Sequence, residues 1–190
     1  MRSAGEATRD RILASAKEEF ARYGFAGARI NRIAKDARAS KDRLYAYFAS
    51  KEDLFSAVMA QWTVETTAET ALRGDDLPAY TGRLFDNYLA HPENARLQEW
   101  ADLEAPETVS YHDIRRNTLR PKIAEIRQGQ ADGHIDPSWN PAELLIVITE
   151  IARTLALPHS GGDVRPGSSR APALRRQTAV DAVRRLIRSS

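Results

Sequence analysis

Residues 8–59, TRDRILASAKEEFARYGFAGARINRIAKDARASKDRLYAYFASKEDLFSAVM, contain the pattern that decides the fold of this chain. Apolar side chains recur there every three or four residues, as they do on the buried face of an amphipathic helix. The periodic segments are interrupted at Gly24, at Arg38-Ala39 and at Ser50. The stretch therefore predicts four helices. The first begins near Thr8, the second covers about 30–37, the third covers about 40–48, and the fourth begins after Ser50 and continues through Trp62.

The remainder of the chain also reads as helix, because no stretch alternates apolar and polar residues as a half-buried strand would. Asn140-Pro141 marks a strong helix start, since Asn is a good cap and Pro suits the first helical position. Further helices are predicted at about 77–91, 92–104, 109–130, 140–157 and 173–187. Residues 158–172 are rich in Gly, Pro and Ser and are expected to form a flexible loop. The predicted fold class is all-α.

Charge is distributed unevenly along the 190 residues, although the formal net charge is only +2. Residues 1–51 carry 12 Lys/Arg against 6 Asp/Glu, whereas residues 52–164 carry 9 against 19. A basic N-terminal segment on an acidic body is typical of a head that meets a polyanion. Residues 165–190 are basic again, and we interpret them as the solvated face of the last helix.

Two short helices joined by a tight turn, the second rich in basic and aromatic residues, are typical of a helix-turn-helix. The second helix is predicted to pack through Leu44 and Phe48, which are four residues apart. Arg43, on another face, is placed either to read guanine or to pair with a neighbouring Asp. The flanking Lys and Tyr side chains are placed either to bind phosphates or to pack against the protein. The sequence therefore predicts a three-helix DNA-binding head within residues 1–50 and a helical-bundle body for regulation and dimerisation over 51–190.

Other classes of function lack their usual residues. The chain has no Cys, which excludes disulfides and thiol chemistry, and its four His are isolated. No H-E-x-x-H, G-x-S-x-G or phosphate-binding glycine motif is present, so we expect no enzyme, no metal and no cofactor. The purest apolar run, 144–148, is far shorter than the roughly 20 residues of a membrane span, and the N-terminal residues lack the apolar core of a signal peptide. We expect a cytoplasmic protein without a membrane partner.

On its N-terminal residues the chain resembles the DNA-binding domain of TetR-family transcriptional regulators. The matching positions are Thr8-Arg9, Ile12-Leu13, Phe20, Gly24-Phe25, Ile33-Ala34, Ala37, Ser40, Leu44-Tyr45, Tyr47-Phe48, Lys51-Glu52 and Leu54. Their combination at fixed spacing is a specific signal that covers about a quarter of the chain. The rest shares only the family's general helical plan.

The resemblance implies DNA contacts at the start of the second helix, along the third and at the start of the fourth. The residues at these positions are Arg29, Ile30, Asn31, Ser40, Lys41, Asp42, Arg43, Tyr45, Tyr47 and Lys51. A homodimer would place two reading helices in successive major grooves of a near-palindromic double-stranded operator, about 34 Å apart or a multiple of it.

Four residues at three sites depart from the family's pattern. Arg29 stands where members usually have Thr or Ser, so a helix cap is lost. Arg38 stands where Gly is usual, so the turn is expected to need a strained or altered backbone. Asp42-Arg43 stands where Gly-Thr is frequent, so the operator sequence does not follow by analogy.

The body's aromatic residues are candidates for an effector cavity, because the resemblance implies one between the middle helices. The candidate ligand-binding residues are Trp62, Phe85, Tyr88, Trp100, Leu103, Tyr111, His112 and Trp139. Aromatic residues at helical spacing also serve as ordinary core, and this alternative stays open.

The last two helices are expected to form a four-helix bundle with a partner chain. The predicted interface residues are Leu144, Ile148, Ile151, Leu155, Val180, Val183 and Ile187. The leading hypothesis is a dimeric repressor that a small-molecule effector releases from its operator. The alternatives are a regulator or activator that needs no ligand, and a small-molecule binding protein that has lost its DNA role.

Overall fold

The structure is a computed structural model that describes residues 4–104, 109–157 and 171–188. Every regular element in these ranges is an α-helix, which confirms the predicted fold class. In chain order the helices are α1 (Ala4–Gly27), α2 (Ile30–Asp36), α3 (Lys41–Tyr47), α4 (Lys51–Glu69), α5 (Leu77–Ala90), α6 (Pro92–Glu104), α7 (Val109–Ala131), α8 (Pro141–Ala156) and α9 (Pro172–Leu186). Residues 158–170 of the predicted loop lie outside the described residues.

Three predicted caps form, because a side-chain oxygen at each position satisfies main-chain N–H groups that the first helical turn leaves unpaired. The oxygen of Ser40 accepts from Arg43 N–H at 3.1 Å, that of Ser50 from Asp53 N–H at 3.1 Å, and that of Asn140 from Ala142 and Glu143 N–H at 2.9 and 3.3 Å. These caps set the starts of α3, α4 and α8.

The predicted start of the first helix is wrong by about one turn. α1 begins at Ala4, and Thr8 lies inside it, where its hydroxyl donates to the Ala4 carbonyl at 2.9 Å. The added turn contains two alanines, which favour a helix, and the acidic Glu6, which suits the positive end of the helix dipole. The break expected at Gly24 is present, with a φ of 71° that interrupts the helical geometry there.

Packing divides the chain into two compact units. The first comprises the described residues of Met1–Glu65 and Glu93–Arg116, and the second those of Thr66–Pro92 and Asn117–Ser190. α4 therefore contributes residues to both units. The predicted functional division near residue 50 is a different one, and it stays a prediction.

An aromatic cluster forms the centre of the first unit. The Phe20 and Phe55 rings meet edge to face at 5.1 Å between centroids, and Phe25 lies 5.4 Å from Phe55. Ile12, Ile33, Leu44 and Leu54 are fully buried around it. Burial of these side chains from four helices stabilises the head, because each removes a large apolar area from water.

The second unit is built on α5, which packs against both α8 and α9. Tyr80, Leu84, Phe85 and Tyr88 are buried along α5. Arg176 of α9 places its guanidinium against Gly82 and pairs with both oxygens of Asp86 at 2.9 Å. The absence of a side chain at Gly82 is what gives this guanidinium room.

The loop before α5 crosses α7 at two glycines of the second unit. A Cβ built on Gly129 would lie 2.9 Å from the carbonyl carbon of Gly74 and would collide with its oxygen. Gly74 N–H donates to the Glu125 carboxylate at 3.2 Å. Glycine is therefore required at this crossing for space rather than for an unusual φ.

No helix among the described residues is long and apolar enough to cross a membrane.

Gly129→Ala separates helix propensity from close packing. Propensity alone favours Ala over Gly within a helix by about 1 kcal/mol. Because the added methyl would press on the Gly74 backbone, we expect a net loss of about 1–3 kcal/mol in the free energy of unfolding. Urea denaturation measures it, and Ala124→Gly, at an exposed site of the same helix, is the control that reports propensity alone. A stabilised Gly129→Ala variant would contradict the packing at this crossing.

Candidate nucleic-acid interface

α2 and α3 form a helix-turn-helix within the first unit. Leu44 is fully buried and Phe48 is 2% exposed, so the face of α3 that carries them is held on the aromatic core. Lys41, Asp42 and Arg43 are exposed on the same helix. The predicted anchoring is confirmed, and it determines which side of α3 faces away from the core.

The ten residues implied as DNA contacts fall into two groups by exposure. Seven have exposed side chains: Arg29, Asn31, Ser40, Lys41, Asp42, Arg43 and Tyr45. The other three, Ile30, Tyr47 and Lys51, are half-buried, and Ile30 and Tyr47 pack against the head's core.

The guanidinium of Arg43 is available for an external partner. Pairing with Asp36 or Asp42 was the alternative role for this residue, and neither forms an ion pair with it in the described part of the chain. Lys41 lies 5.8 Å from the ring centroid of Tyr45, in a cation–π contact that keeps both side chains at the exposed surface. These three residues form an outward set of one guanidinium, one ammonium and one phenol.

Tyr47 and Lys51 have contacts inside the protein as well. The Tyr47 hydroxyl donates to the Gly5 carbonyl at 3.1 Å, in the helical turn that sequence analysis missed. Lys51 donates to the Ala26 carbonyl at 3.3 Å and lies 4.8 Å from the Phe25 ring centroid. Both side chains would have to give up or share these contacts to bind a phosphate.

The start of α2 lacks a side-chain cap, as the Arg29 departure predicts. A buried carboxylate on α1 compensates. Glu19, which is 6% exposed, accepts from Arg29 N–H at 2.8 Å and from Arg32 Nε at 2.7 Å. Arg32 also lies 4.3 Å from the Tyr23 ring centroid and donates to the Gly27 carbonyl. This network fixes the beginning of α2, where Arg29 and Asn31 face outward.

Sequence analysis missed Glu19, although a signal was present. Glu19 follows the buried Ala16 by three residues and precedes the buried Phe20, so it lies on the apolar stripe of α1. An acidic residue on a buried stripe is rarely tolerated unless it is paired. The partner of Glu19 is Arg32, in the first turn of α2.

Arg38 adopts a left-handed backbone, with a φ of 53°. This is the position where the family usually has Gly, and it is the one non-glycine residue with positive φ among those described. The turn is closed by Ala39 N–H, which donates to the Ala34 carbonyl at 2.9 Å. The chain therefore keeps the tight turn geometry and accepts a strained residue, at a cost of about 1–2 kcal/mol.

α6 braces the C-terminal end of α1 within the first unit. A Cβ on Gly24 would lie 2.8 Å from the Trp100 ring, so the two are in close contact. The Glu104 carboxylate accepts from Ala26 N–H at 3.1 Å. The Ala26 carbonyl in turn accepts from Lys51. Glu104 and Lys51 thus bind the N–H and the carbonyl group of the same residue, Ala26.

The candidate ligand-binding residues are divided between the two units. In the first unit, Trp62 and Trp100 are half-buried, and Leu103 is 78% exposed. In the second, Phe85 and Tyr88 are buried, and the half-buried Trp139 donates from Nε1 to the Leu186 carbonyl at 3.2 Å. The side chains of Tyr111 and His112 lie outside the described residues. Trp139 has a structural role, because it ties the start of α8 to the end of α9.

The predicted interface residues differ in how much of their surface the chain itself covers. Leu144, Ile148 and Val183 have no exposed surface and Val180 is 8% exposed, because α5 covers these faces of α8 and α9 within the same chain. Ile151, Leu155 and Ile187 are half-buried. The exposed apolar side chains on the two helices are Ile146 and Leu174, at 56% and 58%. An apolar residue such as Leu144 packs on its own chain, and only the structure reveals which face does so.

Among the described residues, no cluster of three or more His, Asp or Glu side chains could hold a metal ion.

Two family models match the chain. Residues 12–58 match the bacterial regulatory proteins of the tetR family, and residues 76–185 match the tetracyclin repressor-like C-terminal domain. The HTH-type transcriptional repressor SCO4008 of Streptomyces coelicolor is 37% identical over 148 residues, which are 77% of each chain.

Solved structures with the same fold agree with these matches. SCO4942 from Streptomyces coelicolor, assigned as a transcriptional regulator, is 40% identical with a TM-score of 0.75, over 94% of this chain and 97% of its own. The transcriptional regulator FadR from Bacillus subtilis, solved in complex with stearoyl-CoA, has a TM-score of 0.65 over 95% of this chain and all of its own, and at 15% identity it shares the fold alone.

Arg38→Gly should stabilise the protein, because glycine adopts a positive φ without strain. We expect a gain of about 0.5–1 kcal/mol in the free energy of unfolding after the added entropy of the unfolded chain is subtracted. Urea denaturation measures it. Ala39→Gly, in the same turn but without positive φ, is the control and should lose a similar amount. A loss at both positions would contradict the strain at Arg38.

Glu19→Ala should destabilise the head by about 2 kcal/mol, because it leaves Arg29 N–H and the Arg32 guanidinium without their buried acceptor. Glu19→Gln should cost less, since it keeps an acceptor oxygen. The neighbouring Glu18 is exposed, so Glu18→Ala is the control and should change stability by no more than about 0.5 kcal/mol. Equal effects at the two glutamates would mean that the network contributes nothing.

Proposed function

Since the chain belongs to the TetR family of transcriptional regulators, we propose that it is a dimeric repressor that leaves a near-palindromic operator when a small molecule binds its body. The observation that carries the proposal is the outward set on α3. Leu44 and Phe48 are buried, and Arg43, Lys41 and Tyr45 are exposed on a helix that a major groove can admit.

The contacts are expected to divide by chemistry. Arg43, whose guanidinium is unpaired within the described chain, is the candidate for reading guanine through two parallel hydrogen bonds. Lys41, Tyr45, Tyr47 and Lys51 are candidates for phosphate contacts that fix the register. Asp42 would accept from cytosine N4 or repel phosphates, which restricts the sequences that fit beside it.

Repression is the sign of regulation that we favour. SCO4008 is a repressor, and it resembles this chain over three quarters of its length. A dimer bound across an operator blocks access to it, so no further protein contact is required for this activity.

An effector is supported by Trp62 and by the ligand-bound relative. The indole N–H of Trp62 is buried and has no acceptor among the described residues, an arrangement that a bound molecule would correct. FadR, which shares the fold, holds stearoyl-CoA. The effector would release DNA only if it bound one of two head arrangements more tightly than the other.

A homodimer is the assembly that the operator symmetry requires. The exposed Ile146 and Leu174, with the half-buried Ile151, Leu155 and Ile187, are the residues of α8 and α9 that a partner would cover. We place this activity in the cytoplasm, where the DNA is, and assign no catalytic role to the chain.

Sequencing of genomic fragments captured by the purified protein at physiological salt tests the proposal. We expect one enriched inverted repeat, because two identical heads related by a two-fold axis read two half-sites. Affinity for the recovered site should fall steeply with salt, as released counterions require.

Arg43→Ala should weaken that site by about 1–3 kcal/mol and relax the preference at one base pair of each half-site. Arg127→Ala, at an exposed site of α7 in the other unit, removes the same charge and should leave affinity unchanged. A folded dimer that enriches no site, or whose binding does not depend on salt, would favour a small-molecule binding protein without a DNA role.

A further inference from the structure

A lysine and a tyrosine in the second unit meet without any acid. Lys122 of α7 lies with its Nζ 3.4 Å from the Tyr80 hydroxyl of α5 and 5.7 Å from the ring centroid. Tyr80 is 1% exposed, and Lys122 is half-buried. The pair therefore places a cation and a phenol together at the edge of the unit's core.

This pair has more hydrogen-bond donors than acceptors. An ammonium has three donors and no acceptor, and a phenol has one donor. When Lys122 donates to the Tyr80 oxygen, the Tyr80 proton needs an acceptor of its own. None of the described residues provides one, whereas buried polar groups are normally paired. The pair lacks an acceptor.

The pair also lacks a counter-charge. No carboxylate of the described residues lies within ion-pair distance of Lys122, and the acids on nearby turns are engaged elsewhere. Glu125 accepts from Gly74 N–H at 3.2 Å, and Asp76 pairs with Arg83 at 3.4 Å. Burial lowers the pKa of Lys122 and raises the pKa of Tyr80, as expected when both are removed from water.

The turns beside the pair carry buried apolar residues, and the Arg83 guanidinium is the charged group that also acts on Tyr80. Leu77 and Leu84 lie one turn before and after Tyr80 on α5, and Ile126 lies one turn after Lys122 on α7; all three are buried. The cation–π contact with Tyr80 only partly replaces water around the ammonium, because a neutral ring is a weaker partner than an anion. A half-buried cation kept without a counter-charge is more typical of a binding site than of a stabilising core.

We propose that Lys122 and Tyr80 anchor the carboxylate of an apolar organic acid, which would be the effector class of the ligand-responsive body proposed above. One carboxylate oxygen accepts from the Lys122 ammonium and the other from the Tyr80 hydroxyl, so both missing partners are supplied at once. The neighbouring leucines and isoleucine favour an acid with a hydrocarbon tail over a small inorganic anion.

Octanoate and octanamide are suitable probes, because they share a tail and differ in the charge of the head. We expect calorimetric titration of the full chain to give an affinity for octanoate about tenfold or more above that for octanamide, as a charge-assisted hydrogen bond requires. Phosphate serves as the competing inorganic anion. Equal affinities for the acid and the amide, no binding of octanoate, or displacement of octanoate by an equal concentration of phosphate would each overturn the proposal.

Lys122→Met separates a binding role from a structural one. Because it replaces a half-buried cation without a counter-charge by an apolar side chain of similar length, the variant should unfold at the same or a higher temperature while losing the preference for octanoate. Unfolding at a clearly lower temperature, or an unchanged preference, would overturn the proposal. Lys17→Met is the matched control, since Lys17 is also half-buried but lies near the Glu65 carboxylate in the first unit.

Tyr80→Phe provides a second variant that keeps the ring and removes the hydroxyl. It should weaken octanoate several-fold, because one carboxylate oxygen loses its donor, and an unchanged affinity for octanoate would contradict the assigned hydrogen bond. The operator then separates the two proposals. If octanoate binds at Lys122 but does not release DNA, the proposed carboxylate site stands and the proposed ligand-released repressor is wrong. If another compound releases DNA equally well from the wild-type protein and from Lys122→Met, the ligand-released repressor stands and the Lys122–Tyr80 pair is not its effector site.

Discussion

Burial of Leu44 and Phe48 against the aromatic cluster of Phe20, Phe25 and Phe55 fixes the rotation of α3 about its own axis. A helix as short as α3 is not stable alone, so its position depends on this packing and on the Ser40 cap. Once the rotation is fixed, the directions in which the exposed Lys41, Arg43 and Tyr45 project are fixed as well. The chemistry that the head presents to DNA is therefore a consequence of its hydrophobic core.

The head tolerates two local departures by different means. At Arg38 the backbone keeps a left-handed conformation that glycine would adopt freely, so the strain stays in place. At Arg29 the missing cap is replaced from outside the helix, because Glu19 reaches the same N–H from α1. In the second case, α1 and α2 become linked through an ion pair between the buried Glu19 and the partly exposed Arg32, so the start of α2 depends on tertiary contacts rather than on its own sequence.

The second unit contrasts with the first in how it treats buried charge. Glu19 accepts from Arg29 N–H and pairs with the Arg32 guanidinium, whereas Lys122 meets only a phenol among the described residues. The first arrangement holds a rigid surface in place. The second leaves a charged group without its preferred partner, which lowers the stability of the unliganded protein. Such a group is typical of a site that a ligand completes.

Several features followed from the sequence by itself, because they depend on local spacing. Helical periodicity determined the all-α fold, the Ser40, Ser50 and Asn140 caps set helix starts, and the fixed positions around Leu44 and Tyr45 indicated the family. Tertiary structure decided what local spacing cannot encode. The partner of Glu19 is thirteen residues away on another helix, and Leu144 and Ile148 are buried because α5 covers α8 within the same chain. Tyr80 and Lys122 are forty-two residues apart, so their meeting depends on how α5 and α7 pack. Periodicity identifies an apolar face, but only packing determines which neighbour covers it and which polar groups are left beside one another.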